Sequence, residues 1–450
     1  MRAVNPVSWC GGAVRLALLA LILAIGLGLR LEQAIDPNNA PNFDSRAYAG
    51  IAAGLYRDGG FEQVPTSDQP VTQPSSNYSP GVPLLLGGSY YLTGGEHLTL
   101  ARALLALASA AAALLAFALA RRWAGPDAGL LAAAVVAIYP AMLEYSGMVT
   151  GEPLAATLVA AAVLTILWAA EKRSALAWLP AGGLLGATAM LRPEYLAVTC
   201  VLALGVAVWL GRSRGPRPGV TAALVLLGGM ALVVAPWTIR NAITLDRFVP
   251  ISTGGGQVLF AGNYLPSDGD PQRVQAELLA RDADLRRRVG ELTRERGGGP
   301  PYLEEVLAQL ALRSHPELPP DQALGRLGRE QLADNVTDHT GEYAVFVLRK
   351  VSRVWSQGPR EVMERPGWRA LHLLVVALAA VGLARLFRRR PPDAALIAAL
   401  IVMATLTSAL LGASPRRTLV LLPELAALAG IGTVWLVQWA QGRRRSAGAV

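Results

Sequence analysis

The chain has 450 residues, of which 53% are hydrophobic and only 16% charged, against about 25% charged in an ordinary soluble domain. A net charge of +9 could suggest nucleic acid, but the basic residues form no single patch and stand in short clusters between apolar runs, as membrane topology requires. The only cysteines, Cys10 and Cys200, lie in or beside apolar segments, which argues against a disulfide framework or a cysteine metal site.

The first apolar run, 14–31, follows Arg2 and Arg15 as a signal peptide would. It lacks a small-x-small cleavage site and has spanning length, so it reads as an uncleaved anchor. Segments near the spanning length of about 20 residues follow at 99–120, 128–145, 153–170, 175–190, 195–210, 219–237, 368–386, 394–412 and 418–438. The fifth of the ten, 175–190, is short. This pattern predicts an all-α polytopic membrane protein with about ten transmembrane helices. Residues 81–93 (GVPLLLGGSYYLT) are apolar but too few to cross, and they read as re-entrant or interfacial.

Basic residues orient this count. With a cytoplasmic N-terminus, the inner gaps hold Arg121–Arg122, Lys172–Arg173, Arg212/Arg214/Arg217, Arg385 with Arg388–Arg390, and the tail Arg443–Arg445. Counting 81–93 as a crossing would invert every later cluster. The expectation is therefore a multi-pass protein of the inner (plasma) membrane with both termini cytoplasmic. Three regions follow: a transmembrane module, 1–237, that includes an extracytoplasmic loop at 32–98; a polar helical extracytoplasmic segment, 238–367; and C-terminal helices with a basic tail, 368–450. The loop carries an amphipathic stretch, DSRAYAGIAAGLYRDGG, and the polar segment ends in a second one, EYAVFVLRKVSRVWSQG, expected to lie along the membrane surface.

The polar residues at the outer mouths of the helices are Asp44, Glu144 and Glu152, Arg192 and Glu194 (LRPEY), Arg240 and Asn241 (APWTIRN), and Arg416 and Arg417 (SPRRTLVLLPE). One pocket could gather them, with carboxylates as general bases, arginines as bidentate phosphate ligands and the apolar bundle beside them for a lipid tail. Plainer roles exist for each. Asp44 suits a helix N-cap, Glu152 before Pro153 suits a helix start, Glu144 could face interfacial water, and Arg192 could snorkel. The histidines His97, His315, His339 and His372 show no ligand spacing, and Gly254–Gly256 lacks the setting of a nucleotide cradle.

In order along the chain stand NFDSRAYAGIAAGLYRDGGF, YSPGVPLLLGGSYYLTGGEHLTLARALLALASA, YSGMVTGEPLAA, LRPEYL, APWTIRNAITLDRFVPISTGGGQVLFAGN and RRTLVLLPELAALAG. That succession resembles the GT-C superfamily of glycosyltransferases, membrane enzymes that use a polyprenyl-phosphate sugar. It looks most like a bacterial branch related to protein O-mannosyltransferases and aminoarabinose transferases. The resemblance implies that Asp44 is the catalytic base and that Glu152 occupies the region of a second outer-loop acid. It further implies Arg192, Arg240, Arg416 and Arg417 as donor-phosphate ligands, with Tyr48, Tyr78, Glu194 and Asn241 lining the donor or acceptor pocket. Arg416-Arg417-Thr418 departs from the aromatic often found near the arginine of the family's C-terminal motif. The segment after the seventh helix also differs from the domains of better-known members, so acceptor identity does not transfer.

On this reading the chain is an inverting glycosyltransferase of the cell envelope. Its partners are a polyprenyl-phosphate-linked sugar, membrane lipid and an acceptor hydroxyl on a glycan, lipid or protein, and no nucleic acid. Its leaving phosphate gives the scheme no strict need of a metal; the sequence indicates no cofactor and leaves a divalent cation open. The alternatives are a transporter or flippase of a lipid-linked substrate and a catalytically silent scaffold. Transport normally places charge at mid-bilayer, whereas here the charges collect at one rim.

Overall fold

The computed structural model describes residues 11–36, 43–61, 76–268, 270–295, 298–299, 301–412 and 414–447. Arg2, Cys10, the Pro-rich run at 66–75 and the side chains of Arg443–Arg445 lie outside the described residues. In chain order the helices are α1 (Gly12–Ile35), α2 (Phe43–Asp58), α3 (Gly81–Thr93), α4 (Leu98–Ala124), α5 (Pro126–Ile138), α6 (Pro140–Ser146) and α7 (Glu152–Glu171). Then come α8 (Leu179–Leu191), entered by the 3-10 turn Ala175–Trp178, α9 (Tyr195–Arg214), α10 (Pro216–Leu245), α11 (Gly255–Asn263), α12 (Pro271–Arg281) and α13 (Ala283–Glu295). The last seven are α14 (Leu303–Ser314), α15 (Pro320–Thr337), α16 (Thr340–Ser356), α17 (Pro366–Arg389), α18 (Pro391–Leu410), α19 (Arg416–Val420) and α20 (Leu422–Ala447).

Among the described residues, eight helices are long and apolar enough to cross a membrane: α1, α4, α7, α9, α10, α17, α18 and α20. The chain is thus a multi-pass membrane protein. The expected third crossing is a broken one, α5 and α6, bent by 53°. The fifth, Ala175–Leu191, is apolar but shorter than the rest. The α3 segment is a half-length helix, stopped by Gly94 in the left-handed conformation (φ +70°). One change from the expected boundaries is that α10 runs on to Leu245 rather than ending at 237.

The break between α5 and α6 has a chemical cause. Pro140 has no N–H for the carbonyl four residues earlier, and a fully buried arginine supplies what is missing. Arg30 of α1 donates from Nη2 to the Val136 carbonyl at 2.8 Å and from Nη1 to the Ala137 carbonyl at 3.0 Å. At the far end of α6, buried Arg102 donates from Nε to the Gly147 carbonyl at 2.8 Å and from Nη2 to the Gln33 carbonyl at 2.9 Å. Two charges buried among helices are thereby spent on helix carbonyls, and they fix where α6 points.

Elsewhere the helices touch through small residues. A Cβ on Gly182 of α8 would sit 1.9 Å from the Leu226 carbonyl oxygen of α10, so backbone meets backbone there. The segment α11–α15 forms a separate helical module with its own apolar core, including Val274, Leu285, Val306 and Leu307, and α16 follows it. Lys350, fully buried on α16, ties the module to the bundle by donating to the Gly262 and Ala409 carbonyls, each at 2.7 Å, near the ends of α11 and α18. The start of α2, the α6–α7 and α8–α9 turns and α19 share a rim with the module; the α4–α5, α7–α8, α9–α10 and α17–α18 turns lie at the opposite face.

Candidate active site at the rim

Asp44 is the second residue of α2, so its carboxylate stands at the open end of the helix. Arg416, the first residue of α19, donates to it from Nη1 to Oδ2 at 3.1 Å. The pair joins positions at opposite ends of the chain and stays accessible, with side chains 47% and 39% exposed respectively. Tyr48 lies one turn on from Asp44 along the same helix face and meets Tyr78 edge-to-face at 5.6 Å between ring centroids. Burial, reinforced by the charges of Asp44 and Glu152, pushes the Tyr48 phenol well above its ordinary range, so it remains an O–H donor. Burial raises Tyr78 in the same direction.

Beside this pair is a closed network. Arg192 follows the end of α8 and donates from Nη1 to Glu152 Oε1 at 3.1 Å, and from Nε and Nη2 to Glu194 Oε1 at 3.0 and 2.8 Å. Arg417 approaches Glu194 at 3.7 Å and donates to the Gly412 carbonyl. Burial opposes the Arg192 charge, but Glu194 and Glu152 more than offset it and raise its pKa. Burial likewise disfavours the Glu194 carboxylate, and Arg192 with Arg417 outweighs that and lowers it. Arg417 shows the opposite balance: burial brings it down to about 10 despite Glu194.

Two further side chains complete the rim. Tyr145 of α6 has a guanidinium at each of two positions on its ring, Arg416 at 5.7 Å and Arg360 at 5.5 Å from the centroid. Arg360, in the turn before α17, also pairs with Glu144 at 2.7 Å. Burial works against its charge, and Glu144 outweighs it. Buried Arg360 Nε, Arg417 Nε and Glu144 Oε2 have no hydrogen-bond partner among the described residues, which leaves donor and acceptor capacity at the rim. Arg360 did not stand out in the sequence, although the predicted topology puts it on the correct face, just before the eighth expected span.

Arg240 and Asn241 are elsewhere engaged. Arg240 donates from Nη1 to Ser76 Oγ (3.1 Å) and from Nη2 to the Phe61 carbonyl (3.0 Å), and stacks 4.9 Å from the Trp237 ring centroid. Asn241 is fully buried and donates to the Val249 and Ile251 carbonyls at 3.0 and 3.1 Å. These contacts bind the end of the first loop and the segment after α10 to the bundle. Of the residues singled out in the sequence, the structure joins Asp44, Tyr48, Tyr78, Glu152, Arg192, Glu194, Arg416 and Arg417 around one site and sets these two apart. Among the described residues no group of three or more His, Cys, Asp or Glu could hold a metal ion. Asp44 and Glu152 each already face an arginine.

The model of the dolichyl-phosphate-mannose-protein mannosyltransferase family matches residues 73–239, which include Glu152, Arg192 and Glu194. No protein of curated function matches the sequence significantly. In fold, the chain is similar to the oligosaccharyltransferase AglB from Archaeoglobus fulgidus in complex with an inhibitory peptide and a dolichol-phosphate. The TM-score is 0.56 at 15% identity, over 98% of this chain and 52% of that one. The same archaeal enzyme in complex with Zn and sulfate superposes with a TM-score of 0.55 at 16% identity, covering 95% and 50%. ArnT from Cupriavidus metallidurans bound to undecaprenyl phosphate gives 0.44 at 13% identity, covering 94% and 78%. The chain spans about half the length of the archaeal oligosaccharyltransferase. The resemblance to GT-C glycosyltransferases read from the sequence thus recurs in the family match and in the fold.

Proposed function

We propose that the protein is an inverting glycosyltransferase that moves a sugar from a polyprenyl-phosphate donor to an acceptor hydroxyl at the extracytoplasmic face of the inner membrane. The observation that carries the reading is the accessible Asp44 carboxylate held by Arg416, beside the Arg360 and Arg416 guanidiniums on Tyr145. A dolichol-phosphate accompanies the archaeal enzyme of the same fold, which supports a lipid-phosphate donor here.

In the reaction, Asp44 takes the proton of the acceptor O–H as that oxygen attacks the anomeric carbon. The bond from the anomeric carbon to the phosphate oxygen breaks, its electron pair stays on the phosphate, and the single displacement inverts the anomeric configuration. A positioned base contributes about 10²–10⁴-fold. Arg416 and Arg360 offset the charge that develops on the departing phosphate, and the Tyr48 O–H serves as a donor to the sugar or the acceptor. Arg192 holds Glu152 and Glu194 in place around this centre. No step in this scheme calls on a metal, and a divalent cation stays open.

Transport has less support. Buried Arg30, Arg102 and Lys350 are committed to helix carbonyls rather than lining a path. Glu424 is buried and makes no hydrogen bond among the described residues, but it stands at the start of α20, near the rim. The test is transfer of radiolabelled sugar from a panel of polyprenyl-phosphate donors in membranes carrying the protein. Incorporation with inverted linkage supports the reading. Absence of incorporation across the panel, with lipid-linked sugar crossing proteoliposomes instead, overturns it in favour of transport.

A further inference from the structure

At the opposite end of α7 from Glu152, about 30 Å away at 1.5 Å per residue, there is a cleft of about 500 Å³. Lys172, Arg173, Ser174 and Arg214 line its polar side, and buried Trp178 and Leu210 line its floor. Its origin is the short fifth crossing. Ala175–Leu191 has 17 residues, about 26 Å of helix against a hydrocarbon core of about 30 Å. Because its far end is fixed in the rim by Arg192, the shortfall falls on this face. Residues 172–174 join the end of α7 to this short helix and line the recess.

The cations there are not equally committed. Arg214 caps the end of α7, donating to the Lys172 carbonyl at 2.7 Å and to the Ala170 carbonyl at 2.5 Å. Glu171 is neutralised by Arg122. The Lys172 ammonium lies 5.2 Å from the Trp168 ring centroid, and Arg173 is exposed at the mouth. Apolar side chains adjoin the lining residues: Leu176 is 71% exposed, and Leu179 and Trp168 are also exposed, Trp168 beside the Lys172 ammonium. A cationic recess adjoined by exposed apolar side chains at the membrane boundary matches a molecule with an anionic head and hydrocarbon tails.

We propose that this cleft binds the phosphodiester headgroup of an anionic glycerophospholipid from the leaflet on that face, with its acyl chains lying over Leu176, Leu179 and Trp168. The lipid would fill the step left by the short helix and hold the α7–α8 and α9–α10 turns together. This site is separate from the Asp44 centre, and its test needs no assay of transfer.

The experiment is native mass spectrometry of the full chain with phosphatidylglycerol against phosphatidylcholine. The comparison pairs the double variant Lys172→Gln/Arg173→Gln with Arg388→Gln/Arg389→Gln, which removes the same charge from the end of α17. Each cation near a membrane surface is worth about fivefold. The cleft variant is therefore expected to lose retained phosphatidylglycerol by roughly tenfold or more, and the α17 variant, whose cations line no cleft, to lose clearly less. Melting in phosphatidylcholine should stay unchanged, which separates lost binding from lost folding. Equal retention in wild type and cleft variant, or an equal loss in the α17 variant, would overturn the site. If millimolar inorganic phosphate stabilises the protein as much as phosphatidylglycerol does, the ligand is a small anion and the lipid assignment falls.

Discussion

At the rim the same 3.1 Å separates two acid–arginine pairs, Asp44–Arg416 and Glu152–Arg192. Their surroundings differ. The side chains of the first pair are 47% and 39% exposed and bring together elements from the two ends of the chain; those of the second are 6% and 17% exposed and belong to a network with Glu194 and Arg417. An exposed ion pair contributes about 0–1 kcal/mol, whereas removing one partner of a buried pair costs about 3–5 kcal/mol. Distance alone would rank the pairs as equals. Desolvation separates a pair that holds the helices from one left free to meet a substrate.

The comparison breaks most sharply at Arg192. Arg192→Met strands Glu152 and Glu194, and stability in detergent should fall by about 3–5 kcal/mol, read as a lower melting temperature. A change of less than about 1 kcal/mol would mean that water reaches the network and that it is no scaffold. Next comes Arg360→Met, expected to slow transfer by about 10²-fold while lowering stability only slightly; unchanged kcat/KM would remove Arg360 from the site. Arg30→Met leaves the Val136 and Ala137 carbonyls without donors and should cost about 1–3 kcal/mol. Because α6 carries Tyr145, transfer should fall as well, and retained activity would show that the bend does not position the site.

The smallest effect is a pH dependence. Burial, with the Arg417 charge nearby, brings Lys350 from an ordinary 10.5 down to about 7. Between those values the unfolded chain binds more protons than the folded one, so stability should rise as pH climbs from about 7 towards 10. Lys350→Met should flatten that slope in melting curves taken across the window. An unchanged slope would assign it to other groups.

Much of this fold was legible in the sequence because hydropathy and helix length are nearly the same information in a bilayer. The long spans, the half-length 81–93 helix and the shortness of the fifth crossing all follow from runs of Leu, Ala and Val. The α5–α6 break was visible only as Pro140 in AIYPAML, which marks a kink without giving its direction; the direction comes from Arg30, more than a hundred residues away. Asp44, Glu152, Arg192 and Arg416 could be placed on one face by counting crossings. Which of them pair, and which pair is exposed, depends on tertiary approach that no local pattern encodes. Arg240 and Asn241 show the limit: the same face and the same residue types, yet their bonds run to Ser76, Phe61, Val249 and Ile251.

The division of labour between the two pairs is tested most directly by Asp44→Asn, with sugar transfer and thermal unfolding measured on the same preparation. The account predicts transfer reduced by about 10²-fold or more with stability within about 1 kcal/mol of wild type. Near-wild-type transfer would contradict it and move the base elsewhere, and loss of activity only through unfolding would show that Asp44 is a structural residue.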